Sequence, residues 1–151
     1  MSDSTSNLNP QHARRRARSS AMQALYQWQM SPINLKDIEE QFCADQNMSK
    51  VDLGYFHELL HEVPAKLDEL DKKVSDCLDR SIEEVDPIEK ALLRIGTYEL
   101  LHRADIPYRI ILNEAVQLAK KFGGTDGHKY INGILDKIAH DVRAVEIKAG
   151  L

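Results

Sequence analysis

Between Phe56 and Leu78, apolar residues recur at spacings of three and four: Phe56, Leu59, Leu60, Val63, Leu67, Leu70, Val74, Cys77 and Leu78. That stripe fits the 3.6-residue period of an α-helix, not the alternation of a strand. A chain patterned this way in one segment after another must pack helices by their apolar faces. Pro64 interrupts the stripe, where proline removes a hydrogen bond and crowds the preceding turn. No loop signal surrounds it, so a kinked but continuous helix is expected.

Start and stop signals divide the rest. Asn9-Pro10 is a cap followed by a first-position proline, and Ser31-Pro32 stops the helix after Met30. Ala17, Ala21, Ala24, Leu25 and Trp28 give this helix one core-facing stripe. Asn34 caps a second helix with Leu35, Ile38 and Phe42 on one face. Ser49, with Asp52 three residues on, reads as the start of the helix through Phe56. Ser81-Ile82-Glu83-Glu84 predicts a short turn of helix. Asp86-Pro87-Ile88-Glu89 opens a helix carrying Ile88, Ala91, Leu92, Ile95, Tyr98 and Leu101. Ala104 to Pro107 turn the chain into a helix from about Tyr108 to Phe122, ended by Gly123-Gly124. A last helix begins near Thr125 or Asp126 and carries Tyr130, Ile131, Ile134, Leu135, Ile138 and Val142. With 7 glycines and 5 prolines in 151 residues, few breaks remain to place. The expectation is an all-α chain of about six to seven helices, without internal repeats, whose short connections make neighbours antiparallel. Residues 1–8 read as a disordered tail, 9–145 as the helical domain and 146–151 as a C-terminal tail.

The formal charge of −4 argues against a nucleic-acid partner only while it is taken as one number. Residues 1–31 hold four arginines against one aspartate, or +3. Residues 32–101 hold eight basic and seventeen acidic side chains, or −9, and residues 102–151 hold eight and six, or +2. A basic head, an acidic middle and a mildly basic tail suit two different partners. No apolar run is long enough to span a membrane, and the glutamines in Ala21 to Gln29 break any signal-peptide core. Cys43 and Cys77 are far apart, match no metal pattern and read as reduced thiols of a cytoplasmic protein.

Two motifs resemble enzyme machinery. His57-Glu58-Leu59-Leu60-His61 fits H-E-x-x-H, in which two histidines one turn apart bind zinc and the glutamate acts as a base. At about 100° per residue, with His57 at zero, His61 falls near 40° and the apolar stripe near 200–300°. The pair therefore faces away from the core. No downstream H-x-x-G-x-x-H supplies a third ligand, and Glu83 or Glu84 would do so only if the chain folded back. The expectation is no metal and no cofactor. Gly123-Gly124-Thr125-Asp126-Gly127-His128-Lys129 lacks the G-x-x-x-x-G-K-[ST] pattern and has no strand before it, so it is no nucleotide loop. The helix start behind it could still receive an RNA phosphate on its free N–H groups.

Arg14-Arg15-Arg16-Ala17-Arg18 is the feature that points furthest. Four guanidinium groups within five residues repel one another unless an anion is near. They also crowd the positive end of a helix dipole, where acids belong. Arginine suits forked phosphate contacts and stacking on unpaired bases.

In this order, Arg14 to Arg18, Ala24-Leu25-Tyr26-Gln27-Trp28, Glu89 to Ile95 with Tyr98-Glu99-Leu100, Ile106-Pro107-Tyr108, Asn113 to Lys120, and Lys129 to Asp136 resemble the NusB family. The resemblance covers about residues 12 to 143. It implies an all-helical fold of two small bundles and no catalysis. It implies binding of the boxA element of ribosomal RNA transcripts, together with NusE, a protein shared with the small ribosomal subunit. The pair would join an RNA polymerase antitermination complex with other Nus factors. The RNA-binding residues it implies are Arg14, Arg15, Arg16 and Arg18, then Asp126, Lys129 and Tyr130, with Lys120 and Lys121 nearby. Tyr130 stands where the family commonly has phenylalanine. The NusE-facing stretch it implies holds Glu83, Glu84 and Glu89, inside the acidic middle. The His57–His61 run is no part of the family pattern. A similar module precedes the catalytic domain of some ribosomal RNA methyltransferases, but no glycine-rich cofactor loop follows a strand here. A protein-only binding bundle is the other alternative.

Overall fold

The computed structural model describes residues 9–124 and 126–150. The expected tail at 1–8 and Thr125 lie outside them. The described residues form eight α-helices and a 3-10 turn, with no strand among them. The chain divides into two compact units, Met1–Pro64 and Ala65–Leu151.

The first unit holds α1 (Pro10–Met30), α2 (Leu35–Asp45) and α3, which runs Leu53–Ala65 and so ends one residue past the unit boundary. The Asn9 side chain accepts from the Gln11 N–H at 2.8 Å, and Asn34 accepts from the Lys36 N–H at 2.8 Å, so both expected caps are made. At α3 the cap is Asp52 rather than Ser49: its carboxylate accepts from the Tyr55 N–H at 3.0 Å. The Asp52 N–H in turn donates to the Ala13 carbonyl at 3.1 Å, tying the start of α3 to α1. The core is Ala17, Ala21, Met22, Ala24, Leu25, Ile38, Phe56, Leu59, Leu60 and Val63. Each of the larger of these stabilises the unit by about 1.5–3 kcal/mol. Trp28, expected in that stripe, is only half-buried near the end of α1, where Met30 is already exposed. Ile38 is the single fully buried residue of α2. The helix is also tied to α3 by the Phe42–Phe56 ring contact at 5.5 Å and by two hydrogen bonds that the Glu39 carboxylate accepts from His57 and His61.

The expected kink at Pro64 is a break. Lys66 leaves helical geometry, with φ −110° and ψ 22°, and α4 (Leu67–Ser75) starts afresh after it. Proline cannot donate to the Leu60 carbonyl and its ring crowds that turn, so helical continuity is lost nearby. Cys77 and Leu78, the end of the stripe, lie beyond α4.

The second unit contains α4, a 3-10 turn at Ile82–Glu84, α5 (Pro87–His102), α6 (Tyr108–Phe122), α7 (Gly127–Val142) and α8 (Ala144–Lys148). Every residue of α5 from Ala91 to Leu100 is buried, so α5 is the central helix and α4, α6 and α7 pack around it. Arg94 is held there by two 2.8 Å bonds to the Asp71 carboxylate. Gly96 lets α7 approach closely, since a Cβ there would stand 2.8 Å from a Leu135 methyl. Buried Arg143 closes the far end. Its guanidinium donates to the carbonyls of Leu100, Ile106 and Arg103 at 2.9 Å and of Glu99 at 3.2 Å, and to Glu146 at 2.6 Å. Three of those carbonyls belong to the last turn and cap of α5; Glu99 and Arg103 also accept from the backbone N–H groups of Arg103 and Ile106, so the clamp adds a second donor at the helix end. Residues 146–148, expected as tail, are helical, and Glu146 anchors them.

Candidate nucleic-acid interface

The arginine run lies on the second and third turns of α1, and the structure separates its members. Arg15 and Arg16 are exposed, Arg14 is half-buried, and Arg18 is 3% exposed. The guanidinium of Arg14 stands 4.7 Å from the Tyr55 ring centroid and that of Arg18 5.5 Å. At 100° per residue, Arg18 falls beside the apolar positions Ala21 and Leu25, and Tyr55 offers its ring face to the cation. Arg18 is thus buried beside Tyr55, and the outward basic face is Arg15 and Arg16 with the edge of Arg14.

The other expected contacts lie in the second unit. Lys120 and Lys121 are exposed in the last turn of α6, where cations complement the helix dipole. Asp126 and Lys129 are exposed at the start of α7 and lie 3.6 Å apart, so much of the Lys129 charge is matched locally. Tyr130 is half-buried. The Arg80 guanidinium stacks over its ring at 4.7 Å, and Asp79 lies 3.5 Å from its hydroxyl. Burial raises the Tyr130 hydroxyl above its ordinary pKa, and the Arg80 guanidinium holds the Asp79 carboxyl below its own. Sequence reasoning missed Asp79 and Arg80, because nothing in an acidic run announces a partner 51 residues away. It also missed a groove along α6 and α7, lined by Arg109, Asn113, His128, Lys129, Asn132 and Asp136. These side chains put hydrogen-bonding groups beside Lys129.

The three glutamates differ. Glu83 is exposed on the 3-10 turn. Glu84 is exposed but accepts from the Ser81 N–H at 3.3 Å, stabilising that turn. Glu89 is half-buried and packs against the start of α7, where a Cβ on Gly127 would come within 2.6 Å of its carboxylate. Burial, with Asp86 nearby, pushes the Glu89 carboxyl above its ordinary value. An acid therefore already stands beside the helix start expected to receive a phosphate.

Residues 15–140 match the model of the NusB family. The transcription antitermination protein NusB of Pseudomonas savastanoi pv. phaseolicola is 50% identical over 99% of this chain and 98% of its own. That of Marinobacter nauticus is 50% identical over 89% of this chain and 85% of its own. Among solved structures, NusB from T. maritima superposes with a TM-score of 0.70 at 29% identity, covering 83% of this chain and 89% of that one. Antitermination factors NusB and NusE in complex with dsRNA provide a second match, with a TM-score of 0.74 over 82% and 93% of the two chains. At 24% identity that likeness speaks for the fold alone.

Proposed function

Because the chain belongs to the NusB family, we propose that it binds boxA RNA of ribosomal RNA operons together with NusE, and promotes processive transcription as part of the RNA polymerase antitermination complex with other Nus factors. The reading is of a non-catalytic RNA-binding protein acting in the cytoplasm. Among the described residues no helix is long and apolar enough to cross a membrane. The observation that carries the reading is the outward pair Arg15 and Arg16, two exposed cations on the first helix of a chain whose net charge is −4. Lys120, Lys121, Lys129 and the ring of Tyr130 make a second contact region in the other unit. In this reading the arginines hold phosphates, while Tyr130 and the polar groups along α6 and α7 read unpaired bases. In the same reading Glu83 and Glu84, in the acidic middle of the chain, face NusE.

A gel shift with boxA RNA and a scrambled control, with and without NusE, tests the reading. Replacing Arg15 and Arg16 together with alanine should weaken boxA binding. It should also flatten the dependence of log affinity on log salt by about 0.7 for each single-strand phosphate that is no longer neutralised. Unchanged affinity and slope would overturn it.

A further inference from the structure

His57 and His61 sit one turn apart on the solvent side of α3, as the spacing predicts, and the third group that the sequence did not supply comes from upstream. Glu39 of α2 reaches both rings: Oε2 lies 2.8 Å from His57 Nδ1 and Oε1 lies 2.8 Å from His61 Nε2. The two rings are 4.2 Å apart between centroids and tilted by 32°. One ligand atom from each of the three residues falls within 4.8 Å of the others. We propose that Glu39, His57 and His61 form a three-ligand site for Zn²⁺, and that the bound ion fastens α2 to α3.

Two imidazole nitrogens and one carboxylate oxygen are a borderline donor set, suited to zinc rather than to magnesium or calcium, which take oxygen. In a tetrahedral site with bonds of about 2.0–2.2 Å, neighbouring donors stand roughly 3.3 Å apart. Each histidine nitrogen already lies 2.8 Å from one oxygen of the Glu39 carboxylate, and with all three ligand atoms within 4.8 Å of one another no separation has to change by more than about 1.5 Å. The metal would take the lone pairs at His57 Nδ1 and His61 Nε2, leaving hydrogen on the other nitrogen of each ring. The side chains of His57, Glu39 and His61 are 60%, 22% and 28% exposed, so a fourth position opens to water on the surface rather than into a cleft. That makes the site a clasp and not a hydrolytic centre. The clasp falls where packing is thin, since α2 buries only Ile38 completely.

The experiment uses the full chain, without an affinity tag, in a background with Cys43→Ser and Cys77→Ser. Cys43 lies one turn beyond Glu39, and the change keeps thiolates out of the count. Calorimetric titration with zinc chloride should give one ion per chain, bound more tightly than about 10 μM. Melting temperature and hydrogen-exchange protection of α2 amides should rise with zinc. Glu39→Gln, His57→Gln and His61→Gln should each weaken binding about tenfold or more, whereas His140→Gln, an exposed histidine on α7, should leave it unchanged. No site of that affinity, affinity undiminished in the three ligand variants, or the same loss in His140→Gln would overturn the proposal.

Discussion

Arg143 shows how a single side chain can be worth more than its neighbours on the surface. Surface ion pairs such as Lys72–Asp76 contribute little, because water competes for both partners. Arg143 is 7% exposed and serves four carbonyls and one carboxylate, so its removal would take the guanidinium donors from the buried Leu100 and Ile106 carbonyls, where water does not easily replace them. Glu146 completes this arrangement. Burial pushes its carboxyl up, but the Tyr108 N–H at 2.9 Å and the Arg143 guanidinium outweigh that and hold it below the ordinary 4.5. A depressed carboxyl stabilises the fold above its unfolded value and loses that contribution as pH falls through the folded value. Stability measured by urea unfolding should therefore decline as pH drops below about 4.5. Glu146→Gln should lower the neutral-pH midpoint and remove part of that decline. An unchanged pH profile in the variant would show that Glu146 is not among the groups responsible. None of this is visible in the sequence, where Arg143 is one more basic residue near the chain end. Its carbonyl partners lie 37 to 44 residues earlier, and no local pattern records them.

Helices are legible where their signals are local. Asn9-Pro10, Asn34 and Asp86-Pro87 are caps that work through the next three N–H groups, and each cap bond is made as expected. The span of α6 follows from Pro107 before it and Gly123 after it. The misplaced features depend on more than one element. Asp52 displaces Ser49 as a cap, and its backbone also bonds Ala13. Charge alone puts Arg18 on the surface, while its burial depends on Tyr55 from α3. Sequence spacing could not pair Glu39 with the histidines, because 18 and 22 residues separate them. The junction of α5 with α7 can be tested directly. Gly127→Ala would drive a methyl into the Glu89 carboxylate, which must swing outward into water. Relieved of burial, the Glu89 carboxyl should titrate closer to 4.5 by NMR, below its value in the unaltered protein. An unmoved titration would mean that the close approach does not govern Glu89.

Charge sorts the chain into separable duties: a basic head on α1, an acidic stretch from α2 through α5, and a mildly basic end. If the duties are separate, they should fail separately. Glu83→Gln with Glu84→Gln should weaken NusE capture several-fold in a pull-down or by calorimetry, while leaving the salt slope of RNA binding alone. A flatter slope in that double variant would mean that one surface serves both partners. The regional charge balance is legible from the sequence because it is a sum, insensitive to where each side chain points. The division at Pro64 is not, since a stripe that continues across a proline records periodicity and not the interruption of the backbone. The Arg143 clamp also sets a timetable. During synthesis the Leu100 carbonyl emerges 43 residues before the guanidinium that satisfies it. At about 5–20 residues per second, that is a wait of roughly 2–9 seconds. The first unit holds all its own core residues within 64 positions and can settle while the ribosome is still translating. The second must keep the end of its central helix provisional until Arg143 arrives, and a chaperone would find its opening in that interval.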